Sequence, residues 1–103
     1  MSIKIVVRQD ITEYGMFSGD WGDIDMDASA QKYLDTVLAK IEADFPDAEV
    51  DVEGIEQATL TPVEIITDSY ETEDYHAVQY THAAVEDILN DVYNDYETWV
   101  VNS

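Results

Sequence analysis

The sequence contains no cysteine, which excludes disulfide bonds and thiolate metal sites. It also has no apolar run near the roughly 18 residues that a membrane-spanning helix needs. The absence of cysteine also favours an intracellular setting, and the first eight residues are not expected to form a secretory signal peptide. A length of 103 residues with 46% apolar residues suits a single small domain.

Positive charge is the scarcest feature of the composition. Twenty-four acidic residues face four basic ones, and the formal net charge is −20. No lysine or arginine follows Lys40. A small soluble domain needs a net charge of only about 2 to 8 in magnitude. So negative a surface repels nucleic acids and anionic membranes and attracts basic surfaces, so neither nucleic acid nor membrane is expected as a partner.

Hydrophobic periodicity predicts an α+β fold in the order β-β-α-β-β-α. Strands are predicted at residues 3–11, 48–55 and 63–67, and residues 14–22 are predicted to form a turn followed by a second short strand. Helices are predicted at residues 28–44 and 73–96. Asp27 or Ser29 is expected to cap the first helix, and Pro46 to end it. This order indicates a mainly antiparallel sheet carrying two helices.

Apolar residues at helical spacing predict the core. The predicted core residues are Ala30, Leu34, Val37, Leu38, Ile41 and Phe45 in the first helix, and Val78, Val85, Leu89, Val92, Tyr96 and Trp99 in and after the second. Tyr14, Phe17 and Trp21 are also assigned to packing. Tyr70, Tyr75, Tyr80 and Tyr93 flank acidic stretches, and they either pack or contact a partner.

Neither a metal site nor an active site is predicted. Residues 19–27, GDWGDIDMD, hold four aspartates, but an EF-hand loop starting at Asp23 would need glycine and glutamate where Ala28 and Leu34 stand. No nucleophile motif or phosphate-binding loop is present. His76 and His82 lie about 240° apart on the predicted helix and are expected at its surface or boundary. We therefore expect no enzyme, cofactor or dedicated metal, while a divalent-cation binder stays as a third alternative.

The acidic residues recur on regular elements in positions that do not favour local stability. On the second predicted helix Asp87, Asp91 and Asp95 form a ladder at four-residue spacing, and Glu49, Asp51 and Glu53 give the strand at residues 48–55 a wholly acidic face. Like charges four apart on a helix cost about 0.2–0.5 kcal/mol per pair, and a helix C-terminus disfavours anions. Such acids, uncompensated by bases, indicate a partner outside the chain. DNA carries one negative charge per about 1.7 Å of axis, so these acids are predicted to replace phosphates in a DNA-binding groove. The predicted partner-binding residues are Asp20, Asp23, Asp25, Asp27, Glu49, Asp51, Glu53, Glu86, Asp87, Asp91 and Asp95.

Another class of function explains the same charge. Adaptation to high salt also produces acidic surfaces with few lysines, and an acidic adaptor would bind a basic protein segment. Salt adaptation predicts an even spread of acids, whereas the bases of this chain are confined to its first 40 residues.

A resemblance covers roughly the first 45 residues. Its motif is YGMFSGDWGD at residues 14–23, which lies between a predicted strand and a predicted helix. The matching positions are Tyr14, Gly15, Phe17, Gly19, Trp21 and Asp23. This pattern resembles the start of the ArdA-type antirestriction proteins, in which it likewise joins a strand to an acidic-capped helix.

The resemblance implies a DNA mimic encoded by a phage or plasmid. Such a protein occupies the DNA-binding groove of a type I restriction-modification enzyme, and a CRISPR effector is an equally open target. It also implies the cytoplasm of a bacterial or archaeal host, and leaves a homodimer open. Family members are elongated, have more than one domain and dimerise through a C-terminal part, whereas this chain is short. Asp20 stands where the family usually has a basic or neutral residue.

Overall fold

The structure is a computed structural model that describes residues 3–57, 61–68 and 72–102. These described residues form three strands and two helices in the order β1-α1-β2-β3-α2, followed by a short 3-10 helix. The elements are β1 (Ile3–Asp10), α1 (Met26–Asp44), β2 (Glu49–Ile55), β3 (Val63–Thr67), α2 (Thr72–Asn94) and the 3-10 helix (Tyr96–Thr98). The α+β class is confirmed.

The sheet is mixed, and its strand order is β2-β1-β3. Strand β1 pairs with β2 in parallel and with β3 in antiparallel orientation. The prediction of a mainly antiparallel sheet is therefore wrong. The physical reason is that α1 carries the chain back to the starting end of β1, so that β2 runs in the same direction.

Residues 14–22 contain the predicted turn but not the predicted short strand, because the backbone of this segment forms hydrogen bonds with its own neighbours. The Gly15 N–H donates to the Thr12 carbonyl at 3.0 Å, and the Ser18 N–H donates to the Gly15 carbonyl at 3.1 Å. Gly19 and Gly22 have positive φ angles of 96° and 68°, which break an extended chain. Residues 11–25, here called the turn segment, thus connect β1 to α1 without joining the sheet.

Both helices cover the same face of the sheet. Helix α1 packs on β2, α2 packs on β3, and the helices contact each other. The side chains of Ile5, Val7 and Val63 enter the core from the sheet. No helix or strand within the described residues covers the opposite face, here called the open sheet face. Nor does either helix, in the part of the chain described, combine the length and hydropathy needed to cross a bilayer.

Helix α1 begins earlier than its sequence suggests. The Asp25 carboxylate accepts the Ala28 N–H at 3.0 Å and is the N-cap, so the prediction of Asp27 or Ser29 is wrong. Ser29 is instead buried, and its hydroxyl accepts the Val101 N–H at 2.8 Å. The end of the helix at Asp44 agrees with the predicted boundary.

Most of the predicted helical core is buried. Ala30, Leu34, Val37, Ile41, Val85, Leu89, Val92 and Trp99 are buried, whereas Leu38, Phe45 and Val78 are only half-buried. Tyr96 is wrongly predicted: α2 ends at Asn94, the chain turns into the 3-10 helix, and this side chain is 54% exposed. Tyr33 and Ile88 are core residues that the periodicity did not identify.

Candidate partner-binding surface

All eleven predicted partner-binding acids have exposed side chains. They lie on three surfaces. The turn surface comprises Asp20, Asp23, Asp25 and Asp27; the strand surface comprises Glu49, Asp51 and Glu53; and the helix surface comprises Glu86, Asp87, Asp91 and Asp95. These surfaces differ in their surroundings and therefore in their electrostatics.

The turn surface and the end of the helix surface lie at the same end of the molecule. After the 3-10 helix the chain returns to the start of α1, where Asn102 forms a β-bridge with Ile24. The Asp25 N–H donates to the Val101 carbonyl at 2.8 Å in the same place. The four turn-surface aspartates are thereby brought close to the segment that follows α2, which the sequence alone did not predict.

An aromatic cluster fixes this end. The Trp99 ring is fully buried, and its centroid lies 5.3 to 6.2 Å from the rings of four neighbours: Phe17, Trp21, Tyr33 and Tyr93. The cluster joins the turn segment to both helices, so the acids that surround it are held on a rigid support. The packing role predicted for Phe17 and Trp21 is confirmed.

The other tyrosines differ from one another in how far their side chains are buried. The Tyr93 hydroxyl donates to the Met16 carbonyl at 2.8 Å, so this half-buried side chain has a structural role. The packing role predicted for Tyr14 is wrong, since this side chain is 87% exposed at a tight turn. Tyr75 and Tyr80 on α2 are exposed, whereas Tyr70 lies outside the described residues.

Two turn-surface aspartates shape the backbone as well as carry charge. Asp25 caps α1. One carboxylate oxygen of Asp20 accepts the Gly22 N–H at 3.1 Å and so stabilises the turn. Each carboxylate keeps a second oxygen, so these residues can still bind a cation while they hold the local fold.

The strand surface is compensated by bases, contrary to the expectation of a wholly acidic face. Parallel pairing places Lys4 beside Glu49 and Arg8 beside Glu53 on the open sheet face. The Arg8 guanidinium contacts the Glu53 carboxylate at 3.4 Å, and on its other side Glu64 of β3 at 3.1 Å. Reading β2 by itself could not reveal this, because the compensating bases lie 45 residues earlier in the chain.

The helix surface is less compensated but is not a single row. Glu86 contacts His82 at 2.8 Å and faces the sheet side of α2, where it lines a cleft with Asp10 and Arg8. Asp91 instead lines a groove between the helices with Lys40 and Asp44. The ladder expected for Asp87, Asp91 and Asp95 leaves the helix at its last member, because α2 ends at Asn94.

The eleven acids consequently do not form one continuous strip. Val50 and Val52 pack towards the helices, which directs Glu49, Asp51 and Glu53 to the open sheet face. The helix surface lies in the other layer. The turn surface and the segment that follows α2 meet at one end of the molecule, and Asp95 is the helix-surface acid placed there.

Other chemistry within the described residues is limited. No group of three or more histidine, aspartate or glutamate side chains there is arranged to hold a metal ion. His76 is exposed and His82 is at the boundary, as predicted. Burial in the aromatic cluster raises the pKa of the Tyr33 phenol well above its ordinary value, and the nearby Tyr93 raises it further.

Comparison of the chain with protein-family models, with curated proteins and with solved structures finds no match. Its function must therefore be argued from its shape and charge.

Proposed function

We propose that this protein is a DNA mimic that inhibits a host defence complex in the cytoplasm of a bacterium or archaeon. It occupies the basic DNA-binding groove of a type I restriction-modification enzyme or of a CRISPR effector. It catalyses no reaction and needs no cofactor. The partner is a protein, because the charge of the chain repels nucleic acid and anionic membranes.

The charge per unit length carries this proposal. The molecule measures 49 × 25 × 17 Å, and its radius of gyration of 14.7 Å exceeds the roughly 13 Å of a compact chain of this length. A net charge of −20 along 49 Å is one negative charge per about 2.5 Å, against about 1.7 Å for duplex DNA. Only one charged residue, Glu71, lies outside the described residues, so it changes this ratio little.

The turn surface and the helix surface are the main phosphate surrogates. The turn surface lies beside the segment that follows α2, where Asp95 is placed, and the chain supplies no lysine or arginine to α2. The strand surface has a lesser part, because the Arg8 guanidinium pairs with Glu53 and Lys4 stands beside Glu49 in the strand register. Acids on helices and on a braced turn are already ordered, so binding them costs little conformational entropy.

Exchange of carboxylates for amides tests the proposal. The triple variant Asp87→Asn, Asp91→Asn, Asp95→Asn removes three charges from the helix surface. A matched control, Asp35→Asn, Glu42→Gln, Asp47→Asn, removes three exposed charges elsewhere. Because both variants have the same net charge, a difference between them reports position. We expect the helix-surface variant to bind a purified defence complex about tenfold more slowly than the control, since directed charge steers association.

The target is found by capture from an extract that contains restriction and CRISPR complexes. We expect duplex DNA and moderate salt to displace the captured complex, because both compete for its basic groove. Capture of basic proteins that do not bind DNA would contradict mimicry and support the adaptor alternative. A chain that unfolds in dilute buffer would instead support salt adaptation.

A further inference from the structure

A cleft opens next to the turn surface, between the turn segment and the chain that follows α2. Its volume is about 490 Å³, within the range of sites that hold small ligands. Asp20, Trp21, Ile24, Tyr96 and Val100 line it, and Ser18 and Asn102 complete the lining. The cleft therefore combines two aromatic rings and two aliphatic side chains with one carboxylate and two uncharged polar residues.

The aromatic walls of the cleft are held in place. The Trp21 N–H donates to the Ser18 carbonyl at 3.1 Å, and the ring packs against Trp99 with centroids 5.5 Å apart. This leaves Trp21 half-buried, with its hydrogen-bonding need met inside the protein. Tyr96 stands in the 3-10 helix and is 54% exposed. Ring surface is thus available to an incoming group without rearrangement of the core.

The carboxylate is also fixed. One Asp20 oxygen accepts the Gly22 N–H at 3.1 Å, and the other has no hydrogen-bond partner within the described residues. A neutral apolar group that filled the cleft would remove water from this charge without replacing the lost hydrogen bonds, which is costly. An occupant that carries positive charge as well as an apolar part complements both the carboxylate and the rings of the cleft.

The geometry points to a binding site for one arginine side chain of the protein partner. Its guanidinium would pair with the free Asp20 oxygen, while its planar head and aliphatic stem lie against Trp21 and Tyr96. Arginine fits better than lysine, because a guanidinium stacks on aromatic rings and is less strongly hydrated than an ammonium. This inference rests on the proposed function, since a basic DNA-binding groove supplies such arginines.

A titration of the isotopically labelled full chain with acetyl-arginine amide tests the site without any defence enzyme. The indole N–H signals of the two tryptophans are followed by NMR. We expect the Trp21 signal to move to saturation and that of the fully buried Trp99 to stay nearly still. Acetyl-citrulline amide has almost the same shape without the charge, and we expect it to cause no saturable shift. An equal response to both compounds would overturn the inference.

Variants locate the binding within the cleft. Asp20→Asn keeps the oxygen that accepts the Gly22 N–H, and Tyr96→Leu keeps apolar bulk at an exposed position. Each should weaken binding about two- to fivefold. The controls Asp23→Asn and Tyr75→Leu change an exposed aspartate and an exposed tyrosine that do not line the cleft, and should leave affinity unchanged. If the two control variants lost as much affinity as the two cleft variants, the assignment of the arginine site to this cleft would be overturned. Arginine binding without capture of a defence complex would refute the proposed function alone.

Discussion

Replacement of Trp99 by phenylalanine should destabilise the protein more than the same replacement of Trp21. The buried Trp99 N–H donates to the Val92 carbonyl at 2.9 Å. That carbonyl is one of the last four of α2, which have no partner within the helix. Phenylalanine cannot donate, and a buried acceptor without a partner costs about 1–3 kcal/mol.

The smaller ring also leaves a cavity among its four aromatic neighbours, which adds roughly 1 kcal/mol. The total of about 2–4 kcal/mol should lower Tm by at least about 8 °C, since each kcal/mol is worth about 4–8 °C in a domain of this size. The loss of unfolding free energy is measured by urea unfolding, with far-ultraviolet circular dichroism as the signal, which does not depend on tryptophan fluorescence. Net charge is unchanged, so electrostatic repulsion cannot explain the loss.

Trp21→Phe is the matched control. Trp21 is half-buried, and its N–H donates to the Ser18 carbonyl at 3.1 Å near solvent, where water can take over the bond. Its expected cost is therefore about 1 kcal/mol or less. Equal destabilisation of the two variants would refute the idea that Trp99 closes the C-terminal end of α2.

Two further predictions concern stability. Asp25→Ala should cost about 0.5–2 kcal/mol by removing the cap of α1, whereas Asp25→Asn, which still accepts the Ala28 N–H, should unfold at nearly the wild-type urea concentration. The pKa of the Tyr33 phenol is raised in the folded state, so above about pH 10 the unfolded chain loses this proton first and stability falls. In the Tyr33→Phe variant the fall of stability above about pH 10 should be smaller than in the wild type. Equal slopes of the unfolding free energy against pH in the two proteins would contradict this prediction.

Local patterns in the sequence predicted the elements better than their arrangement. Strand β3, the end of α1 and the apolar periodicity of α2 follow from short-range rules. The short strand expected within residues 14–22 does not form, although interleaved glycines and aromatics also suit a strand. Turn hydrogen bonds within the segment and the positive φ angles of Gly19 and Gly22 exclude it. The parallel pairing of β1 with β2 depends on the path of α1, which periodicity does not contain.

On the candidate surface, too, local features could be predicted from the sequence and long-range contacts could not. Exposure of all eleven acids could be predicted, since unpaired carboxylates are seldom buried. The compensation of Glu53 by Arg8 could not, because it arises from strand pairing between distant segments. The cleft between Trp21 and Tyr96 joins residues 75 positions apart, and the periodic pattern had wrongly placed Tyr96 in the core.

The position of β2 at the edge of the sheet bears on how copies of this protein behave when concentrated. An edge strand presents unpaired backbone groups that can template aggregation. If two β2 strands met in antiparallel register, Asp51 would oppose Asp51 and Glu49 would oppose Glu53, and like charges directly opposite are unfavourable. The carboxylates of β2 thus disfavour edge-to-edge polymerisation through this strand. Any self-association is expected through other parts of the protein.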